Sequence, residues 1–375
     1  MPLHKGVAAH KLCATPQSRA KRATTISAPQ KNLTLLIPGL LGPIPPHGGA
    51  HFELPKLESL LSRSVVCTNH HDATHNLFAC FTPSRNITPP FSVAQAAYVA
   101  DVSSPSDNEV GYLLRADPVH LRPEITGLHL YEMQLLNIER EEAEALIESI
   151  NELITPTGMS LEMGTEGRWY LKLAEDPKLN CMALEEAIGC DVSQHLPKGE
   201  GGAQWNQWLN EIQMLLHTHP VNQQRQLTGR AEINSLWLWG GGQLPELSSH
   251  FDEVWSNSVV AEGLARLSAT AHHDLPQRGD NWLDGVDTSS SKILLVIEGL
   301  ESALAYGDFE SWYSQLQILD RNWFAALQSL LESGAVESIQ LLPCSGSEYR
   351  ITRSDRWKLW RRKKPIVDLI NYLRD

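Results

Sequence analysis

The residue types best suited to chemistry are concentrated in the segment HTHPVNQQRQLTGR at 217–230. Its two arginines could bind a phosphate or a carboxylate, because a guanidinium group presents a planar pair of donors that matches either anion. Two further arginines, in LLRADPV and EGRWYL, could converge on the same ligand from earlier in the chain. The candidate ligand-binding residues are Arg115, Arg168, His219, Asn222, Arg225 and Arg230.

The same segment also has a structural interpretation. The side chains of His219 and Asn222 could cap the end of a helix and tie two parts of the fold together. One set of groups can do both, so ligand binding and a structural role both stay open.

A second group of candidates is the histidine-rich stretch TNHHDATHN at 68–76. His71 and His75 would share one face of a helix at a spacing of four residues, which is a spacing that zinc sites use. The stretch is rich in turn-forming residues, however, and it lacks the apolar periodicity of a helix. The pattern therefore favours a solvated loop over a zinc site.

The segment 350–364 near the end of the chain is basic, with eight Lys or Arg residues and one acid. Trp357 and Trp360 lie between the charges, a pattern that suits single-stranded nucleic acid. The favoured alternative is a helix over 353–364 that packs both tryptophans on the core. Arg361, Arg362 and Lys363 would then face solvent.

Four short apolar runs predict the elements that must position these residues. Each run is followed by Gly or Pro, as expected of buried parallel strands, and helical patterns lie between them. This alternation predicts an α/β fold with a doubly wound, mostly parallel sheet whose functional loops follow the strands. The strands are predicted at 33–37, 235–239, 293–297 and 338–342, the helices at 54–61, 259–267 and 309–331, and the loops at 38–43, 240–242, 298–301 and 344–348.

The middle of the chain follows a different pattern. An amphipathic helix is predicted at 139–154, with acidic residues in its first turn, and two strand-like runs follow at 159–173. We expect an inserted α+β domain at 110–230. It would divide an α/β core into 31–109 and 231–375, with residues 1–30 a disordered basic extension.

Composition limits the class of protein. The chain has 375 residues, 42% of them hydrophobic, and a net charge of −13, which argues against a general nucleic-acid coat. No stretch approaches the roughly 20 apolar residues that span a bilayer. Six cysteines without a CxxC pair suggest a reducing compartment. We therefore expect a soluble, cytoplasmic protein without a cofactor.

The order of these motifs resembles that of archaeal-type, cofactor-independent phosphoglycerate mutases, which belong to the alkaline-phosphatase-like superfamily. HPVN, then Arg, then Gly, then a strand ending in a glycine-rich turn follow one another as in that family. A closer resemblance is to the bacterial regulatory protein RpfE family. It rests on the words RADPVHLRP, RWYL, EIQMLLHTHPVN, NSLWLWGGG and SDRWKLWRR.

The resemblance implies a two-metal reaction on phosphate, and the residues at the expected ligand positions imply that this reaction has been lost. The mutases hold two divalent metals with Asp and His and attack phosphate with a Ser or Thr oxygen. Where their pattern places Asp-Gly after the first strand, this chain has Pro38-Gly39. It has GLESALAYGD and LLPCSGSEY where the pattern places Pro-Asp-Glu-x-Gly-His and Asp-His. The remaining weak candidates are Ser92 as nucleophile and Glu298, Glu301 and Asp308 as metal ligands.

We therefore expect a phosphoglycerate-mutase-like pseudoenzyme that acts as a regulatory or phospho-ligand-sensing protein. Its partners would be an anionic or phosphorylated small molecule and a regulatory protein, with neither nucleic acid nor a membrane as a favoured partner. The alternatives are a metal-dependent phosphomutase or phosphatase with a relocated site, and a nucleic-acid-associated module that acts through the basic C-terminal segment.

Overall fold

The computed structural model describes residues 30–42, 52–84, 86–102, 111–125, 127–131, 136–188, 190–280, 282–357 and 362–371. The strands are β1 (Lys31–Leu36), β2 (Val65–Asn69), β3 (Tyr112–Glu124), β4 (Gly127–Tyr131), β5 (Ser160–Thr165), β6 (Arg168–Leu173), β7 (Leu179–Asn180), β8 (Lys198–Gly199), β9 (Ser235–Trp239), β10 (Glu253–Ser256), β11 (Ala271–His273), β12 (Lys292–Val296), β13 (Val336–Leu342) and β14 (Gly346–Thr352). The helices are α1 (Pro55–Arg63), α2 (Ala73–Ala79), α3 (Val93–Asp101), α4 (Arg140–Ile154), α5 (Leu184–Ala187), α6 (Gly202–Thr218), α7 (Pro220–Leu227), α8 (Val259–Leu267), α9 (Leu300–Ala305), α10 (Phe309–Leu319), α11 (Ala325–Ser333) and α12 (Ile366–Asn371).

A seven-stranded sheet forms the centre of the fold, in the order β11-β10-β12-β1-β13-β14-β2. β1 lies between β12 and β13 and runs parallel to both. All three strands are rich in buried apolar residues because helices cover both faces of the sheet. The predicted doubly wound, mostly parallel sheet is confirmed. Among the described strands of this sheet, only β14 runs opposite to the others, antiparallel to both β13 and β2, and residues 346–348, predicted as loop, are the start of β14.

The two faces of this sheet have separate hydrophobic clusters, because successive residues of a strand point to opposite sides. Leu33 and Leu35 of β1 pack with residues of α1, α10 and α11. Leu36 packs on the other face, with residues of α2 and α8. The alternation within β1 thus places the core on both sides of the sheet.

The predicted helix at 309–331 is interrupted by a π-helical turn, Asp320–Phe324, between α10 and α11. The turn places the carboxylate of Asp320 at the first residues of α1, which has no side-chain cap of its own. The backbone N–H groups of Lys56 and Leu57 donate to Asp320 Oδ1 at 3.1 and 2.7 Å. A residue some 260 positions away thereby caps α1, as its free N–H groups require.

The second sheet has the order β4-β3-β6-β5, and β9 also pairs with β3. The strand predicted at 235–239 is confirmed, but its assignment to the parallel sheet was wrong, since β9 runs antiparallel to β3 and belongs to this second sheet. A strand buried on both faces has the same apolar pattern in either sheet. We use the term inserted part for the residues from β3 to β9, which carry the second sheet, and the turn at 240–242 follows this sheet and not the central one. Helix α4 and the hairpin of β5 and β6 are confirmed.

The two sheets meet through α3, which follows the first part of the central core and packs on α8. Gly263 of α8 faces the backbone of α3 so closely that a Cβ atom there would lie 1.7 Å from the carbonyl oxygen of Ala96. Ala94, Ala96 and Ala97 are fully buried. Small residues on both helices permit this contact, because any larger side chain would overlap backbone atoms.

The described part of the C-terminal segment does not form the predicted continuous helix. Residues Arg353–Trp357 form a 3-10 turn, 362–365 are irregular, and α12 begins at Ile366. Arg362 and Lys363 are exposed as predicted, and Lys363 Nζ also lies 2.9 Å from Glu58 Oε2. Trp360, Arg361 and the side chain of Trp357 lie outside the described residues, as does the predicted extension up to residue 29, so those expectations stay predictions.

Candidate functional site at the strand ends of the central sheet

Carboxylates line the region beyond the carboxyl ends of β1, β12 and β13. We call this group the acidic rim. Its members come from four places in the chain, and all are exposed: Asp72, Glu185, Glu186, Glu298 and Glu301. Two of them, Glu185 and Glu186, belong to α5 of the inserted part, which contacts α9 of the central core. The rim therefore lies where the two parts face each other.

Glu301, in the first turn of α9, is the most perturbed carboxylate of the rim. The protein around its side chain, and then the negative charges of Glu298, Glu185, Asp72 and Glu186, raise its pKa to about 7. Partial loss of solvent around its carboxylate also raises the pKa of Glu298, which accepts a hydrogen bond from Ser258 that acts in the opposite direction. Like charges are thus held close together.

Asp308 does not join Glu298 and Glu301 as the relocated metal site requires. It is the N-cap of α10, and its Oδ1 accepts a hydrogen bond from the N–H of Ser311 at 3.0 Å. Among the described residues, no three His, Cys, Asp or Glu side chains are arranged to hold a metal ion.

Ser92 lies at the N-terminus of α3 and is 2% exposed. Its hydroxyl oxygen accepts a hydrogen bond from the N–H of Gln95 at 3.3 Å, so it caps the helix. The group proposed as a nucleophile therefore has a structural role in this conformation.

The histidine-rich stretch is partly helical, contrary to the expected solvated loop. Asp72 is the N-cap of α2 and accepts a hydrogen bond from the N–H of His75 at 2.7 Å. The rings of His71 and His75 stack at 3.7 Å between centroids, and His75 is buried. The cap explains why turn-forming residues precede a short helix here.

Arg115 and Arg168 lie on neighbouring strands, and each has a carboxylate partner. The Arg115 guanidinium donates to both oxygens of Asp117, at 2.7 and 2.9 Å, and Asp117 is fully buried. Trp239 Nε1 donates to the same carboxylate at 2.7 Å. Arg168 forms its ion pair with Asp101 of α3 at 2.6 Å.

Arg225 and Arg230 form a separate group at the start of α4. Arg225 Nη1 lies 2.6 Å from Glu142 Oε2, and Arg230 lies 2.9 Å from Glu139. Arg225 also donates to the carbonyl of Ala231 at 2.6 Å, before β9 begins. Arg115, in contrast, faces the last residue of β9. The four arginines are thus held at opposite ends of this strand and do not converge.

His219 and Asn222 have the structural role that the sequence left open. His219 is the N-cap of α7, and its Nδ1 accepts the N–H of Val221 at 3.2 Å. The Asn222 amide donates to the carbonyls of Leu216 and Ile233, both at 2.8 Å, and accepts the N–H of Ile233 at 2.8 Å. Asn222 thereby fixes the end of α6 to the segment that leads into β9.

Several partners were missed in the sequence. Asp117 could have been found, because residues two apart on a strand point to the same side and RADP places it beside Arg115. Asp72, Glu185 and Glu186 had no such signal, since only tertiary folding brings them near Glu298.

Comparison with known proteins shows similarity to phosphoglycerate mutases over part of the chain. A family model described as 2,3-bisphosphoglycerate-independent phosphoglycerate mutase matches residues 109–222. A probable 2,3-bisphosphoglycerate-independent phosphoglycerate mutase of Geobacter sulfurreducens is 28% identical over 148 residues, 39% of this chain and 37% of that protein. This chain is phosphoglycerate-mutase-like.

A second relative has the same description, and a solved structure has a similar fold. The mutase-like chain is 25% identical over 225 residues to a protein of Methanothrix thermoacetophila with the same description, covering 55% of the chain and 57% of that protein. In fold, it resembles the PH0037 protein from Pyrococcus horikoshii, with a TM-score of 0.53, 14% identity and coverage of 86% and 88%. It spans less than two fifths of the Geobacter relative.

The family match to this mutase-like chain begins just before β3 and ends within α7. It therefore covers most of the inserted part, while β1, β12 and β13 lie outside it. No helix among the described residues has the length and apolar character needed to cross a membrane.

Proposed function

We propose that this phosphoglycerate-mutase-like protein does not carry out two-metal phosphoryl transfer and acts instead as a regulatory binding protein. The observation that carries the proposal is the type of residue that follows each of three strands of the central sheet. Pro38 follows β1, Glu298 follows β12, and Cys344 follows β13. The resemblance implies Asp and His ligands at these ends, and a proline cannot ligate a metal through its side chain.

The charge of the acidic rim supports the proposal. Phosphoryl transfer requires cations to neutralise the phosphoryl group. Here Glu298, Glu301 and Glu185 would repel a phosphorylated ligand, while Arg115 is already paired with Asp117. The rim is therefore better suited to a cationic group of a partner protein than to the phosphorylated ligand expected from the sequence. The regulatory role agrees with the resemblance to the RpfE family.

The test is a comparison with a working relative. Purified protein and the Methanosarcina barkeri relative, described as a 2,3-bisphosphoglycerate-independent phosphoglycerate mutase, would be assayed for mutase and phosphatase turnover with Mn²⁺ and with Mg²⁺. Bound metal would be measured by elemental analysis after dialysis. We expect turnover only from the relative. Turnover by this protein that Ser92→Ala abolishes would contradict the proposal.

The second candidate is a metal-dependent phosphotransferase at a relocated site. It is favoured by the closeness of Glu298 and Glu301, whose mutual repulsion a divalent cation would relieve. Tight binding of Mn²⁺ that is lost in Glu298→Gln and Glu301→Gln, but retained in Glu310→Gln on the neighbouring helix α10, would support this candidate over the first.

A further inference from the structure

The outer edge of β2 is a surface that the fold leaves open. β2 is the last strand of the central sheet, and among the described residues no strand pairs with it on the side away from β14. Val65 and Val66 are 47% and 45% exposed, and Cys67 and Thr68 are also exposed. Because successive side chains of a strand point to opposite faces, solvent reaches β2 on both faces of the sheet as well as along its edge.

β2 has none of the features that commonly keep an edge strand apart from other strands. Proteins protect such edges with lysine, proline or other charged residues, or with a β-bulge that twists the edge away. The sequence of β2 is VVCTN, without a charge or a proline. Its five pairs with β14 follow one another without a shift in register. This exposed, regular and uncharged edge is therefore a template for a further strand.

The sequence of β2 fits a second copy of itself in one antiparallel register. Only the register centred on Cys67 pairs all five residues of both strands. Its pairs are Val65 with Asn69, Val66 with Thr68, and Cys67 with the same residue of the second copy. Alternate residues of a strand direct their N–H and C=O groups outward, so paired positions must be both odd or both even. The register centred on Cys67 satisfies this condition whichever set faces outward.

The charges at the two ends of β2 agree with antiparallel pairing. Arg63 precedes the strand, and the exposed Arg350 of β14 lies opposite its first residue, Val65. Asp72 follows the strand and is close enough to Glu301 for their charges to interact. Antiparallel pairing about a two-fold axis places the basic end of each strand beside the acidic end of the other. Parallel pairing would instead bring like charges together.

We propose that two copies of this chain associate through the outer edges of β2, so that one sheet continues across both copies. The two-fold axis passes between the paired Cys67 residues. Main-chain hydrogen bonds join the strands, as in strand addition, and Val66 packs beside Thr68 of the second copy. This joint has far fewer than the roughly 20–30 residues a side of a standard interface, so the dimer is reversible. The association does not depend on the proposed regulatory role.

The mass of the full-length protein in solution tests the association. Sedimentation equilibrium under reducing conditions, from low micromolar to near-millimolar protein, should show a rise from the monomer mass toward twice that mass. Val65→Lys places a charge on the edge and should weaken association about tenfold or more. Met214→Lys is the matched control, because Met214 is 73% exposed on α6 of the inserted part, and it should leave association unchanged.

Two results of the sedimentation experiment would overturn the proposal. A monomer at every concentration would do so in favour of a different partner at this edge. A dimer that Val65→Lys leaves as tight as the wild type would place the contact elsewhere on the molecule. Circular dichroism of Val65→Lys would confirm that the variant is folded, as expected for a substitution at an exposed position.

Cross-linking of the wild-type protein tests the register independently of any variant. Copper phenanthroline oxidises two thiols to a disulfide, and oxygen accepts the electrons. Paired residues of antiparallel strands have Cα atoms about 4.5–5.5 Å apart, within the range that a disulfide spans. Peptide mass spectrometry should therefore find Cys67 linked to Cys67, while Cys190, which is also exposed, should not be linked. No covalent dimer, or dimers linked only through other cysteines, would overturn the register centred on Cys67.

Discussion

The guanidinium of Arg168 on β6 donates two hydrogen bonds to the carboxylate of Asp101, the last residue of α3. They measure 2.6 Å from Nη2 and 2.9 Å from Nε. The hydroxyl of Tyr170 donates to the same carboxylate at 2.5 Å. Asp101 is on the helix that packs against the central core, and Arg168 and Tyr170 are on the second sheet. The contact therefore joins the inserted part to the core.

Asp101→Asn should lower the free energy of unfolding by about 2 kcal/mol. The substitution leaves a partly buried guanidinium without its counter-charge. The loss of stability is smaller than for a fully buried pair, because the Arg168 side chain is 34% exposed. Urea denaturation would measure the change. Asp280→Asn, in the exposed pair with Arg278, is the control and should change stability by less than about 0.5 kcal/mol. Equal effects would show that the Asp101 contact contributes no more to stability than an exposed ion pair does.

Glu301→Gln should stabilise the protein at alkaline pH. Partial loss of solvent around the carboxylate, and then the neighbouring carboxylates, raise the pKa of Glu301 to about 7 in the folded state, while the unfolded chain has a value near 4.3. The folded protein therefore binds more protons between these values, and its stability falls as pH rises through that window. Thermal unfolding at pH 4 and pH 8 should show a gain for the variant at pH 8 that is much smaller at pH 4. The same gain at both values would exclude this titration.

Gly263→Ala should destabilise the protein by about 3 kcal/mol or more, beyond the usual range for one added methyl group in a core. The new Cβ would lie 1.7 Å from the Ala96 carbonyl oxygen, so α3 and α8 must move apart. Leu267→Ala, at the partly exposed end of α8, serves as the control and should cost less. A Gly263→Ala protein as stable as wild type would contradict the close packing of these helices.

Ser92→Ala should act on stability by removing the cap of α3, at a cost of about 1 kcal/mol. Ser92→Asp, which keeps an acceptor at the N-cap, should restore much of this loss. Chemical denaturation of both variants gives the comparison. Equal losses in both would mean that the cap contributes little.

Lys363→Glu should destabilise the C-terminal segment. Its ammonium group lies 2.9 Å from Glu58, which is 4% exposed and also accepts the N–H of Ile366. Charge reversal would place two carboxylates together and should cost about 1–2 kcal/mol. The neighbouring Arg362 is exposed, and Arg362→Glu should change stability by less than about 0.5 kcal/mol. Limited proteolysis would detect the release of α12 from α1, and similar digestion of both variants would count against the role of Glu58.

Local patterns in the sequence were enough to predict most of the individual elements. The apolar runs of β1, β12 and β13 and the periodicity of α4 and α8 are properties of contiguous residues, so the helix at 259–267 was placed at its observed bounds. The cap that Glu139 provides for α4 is local in the same way. Pro38 and Glu298 follow β1 and β12, where the resemblance implies other residues as metal ligands. This difference could likewise be recognised without a structure.

Tertiary structure decided which elements and side chains meet. β9 has the apolar pattern of a central strand, and only its pairing with β3 shows that it belongs to the second sheet. The arginines at 115, 168, 225 and 230 suggested one anion site, yet each found a carboxylate partner: Asp117, Asp101, Glu142 and Glu139. Charge pairing and strand partners depend on distances across the fold, which residue spacing along the chain does not contain.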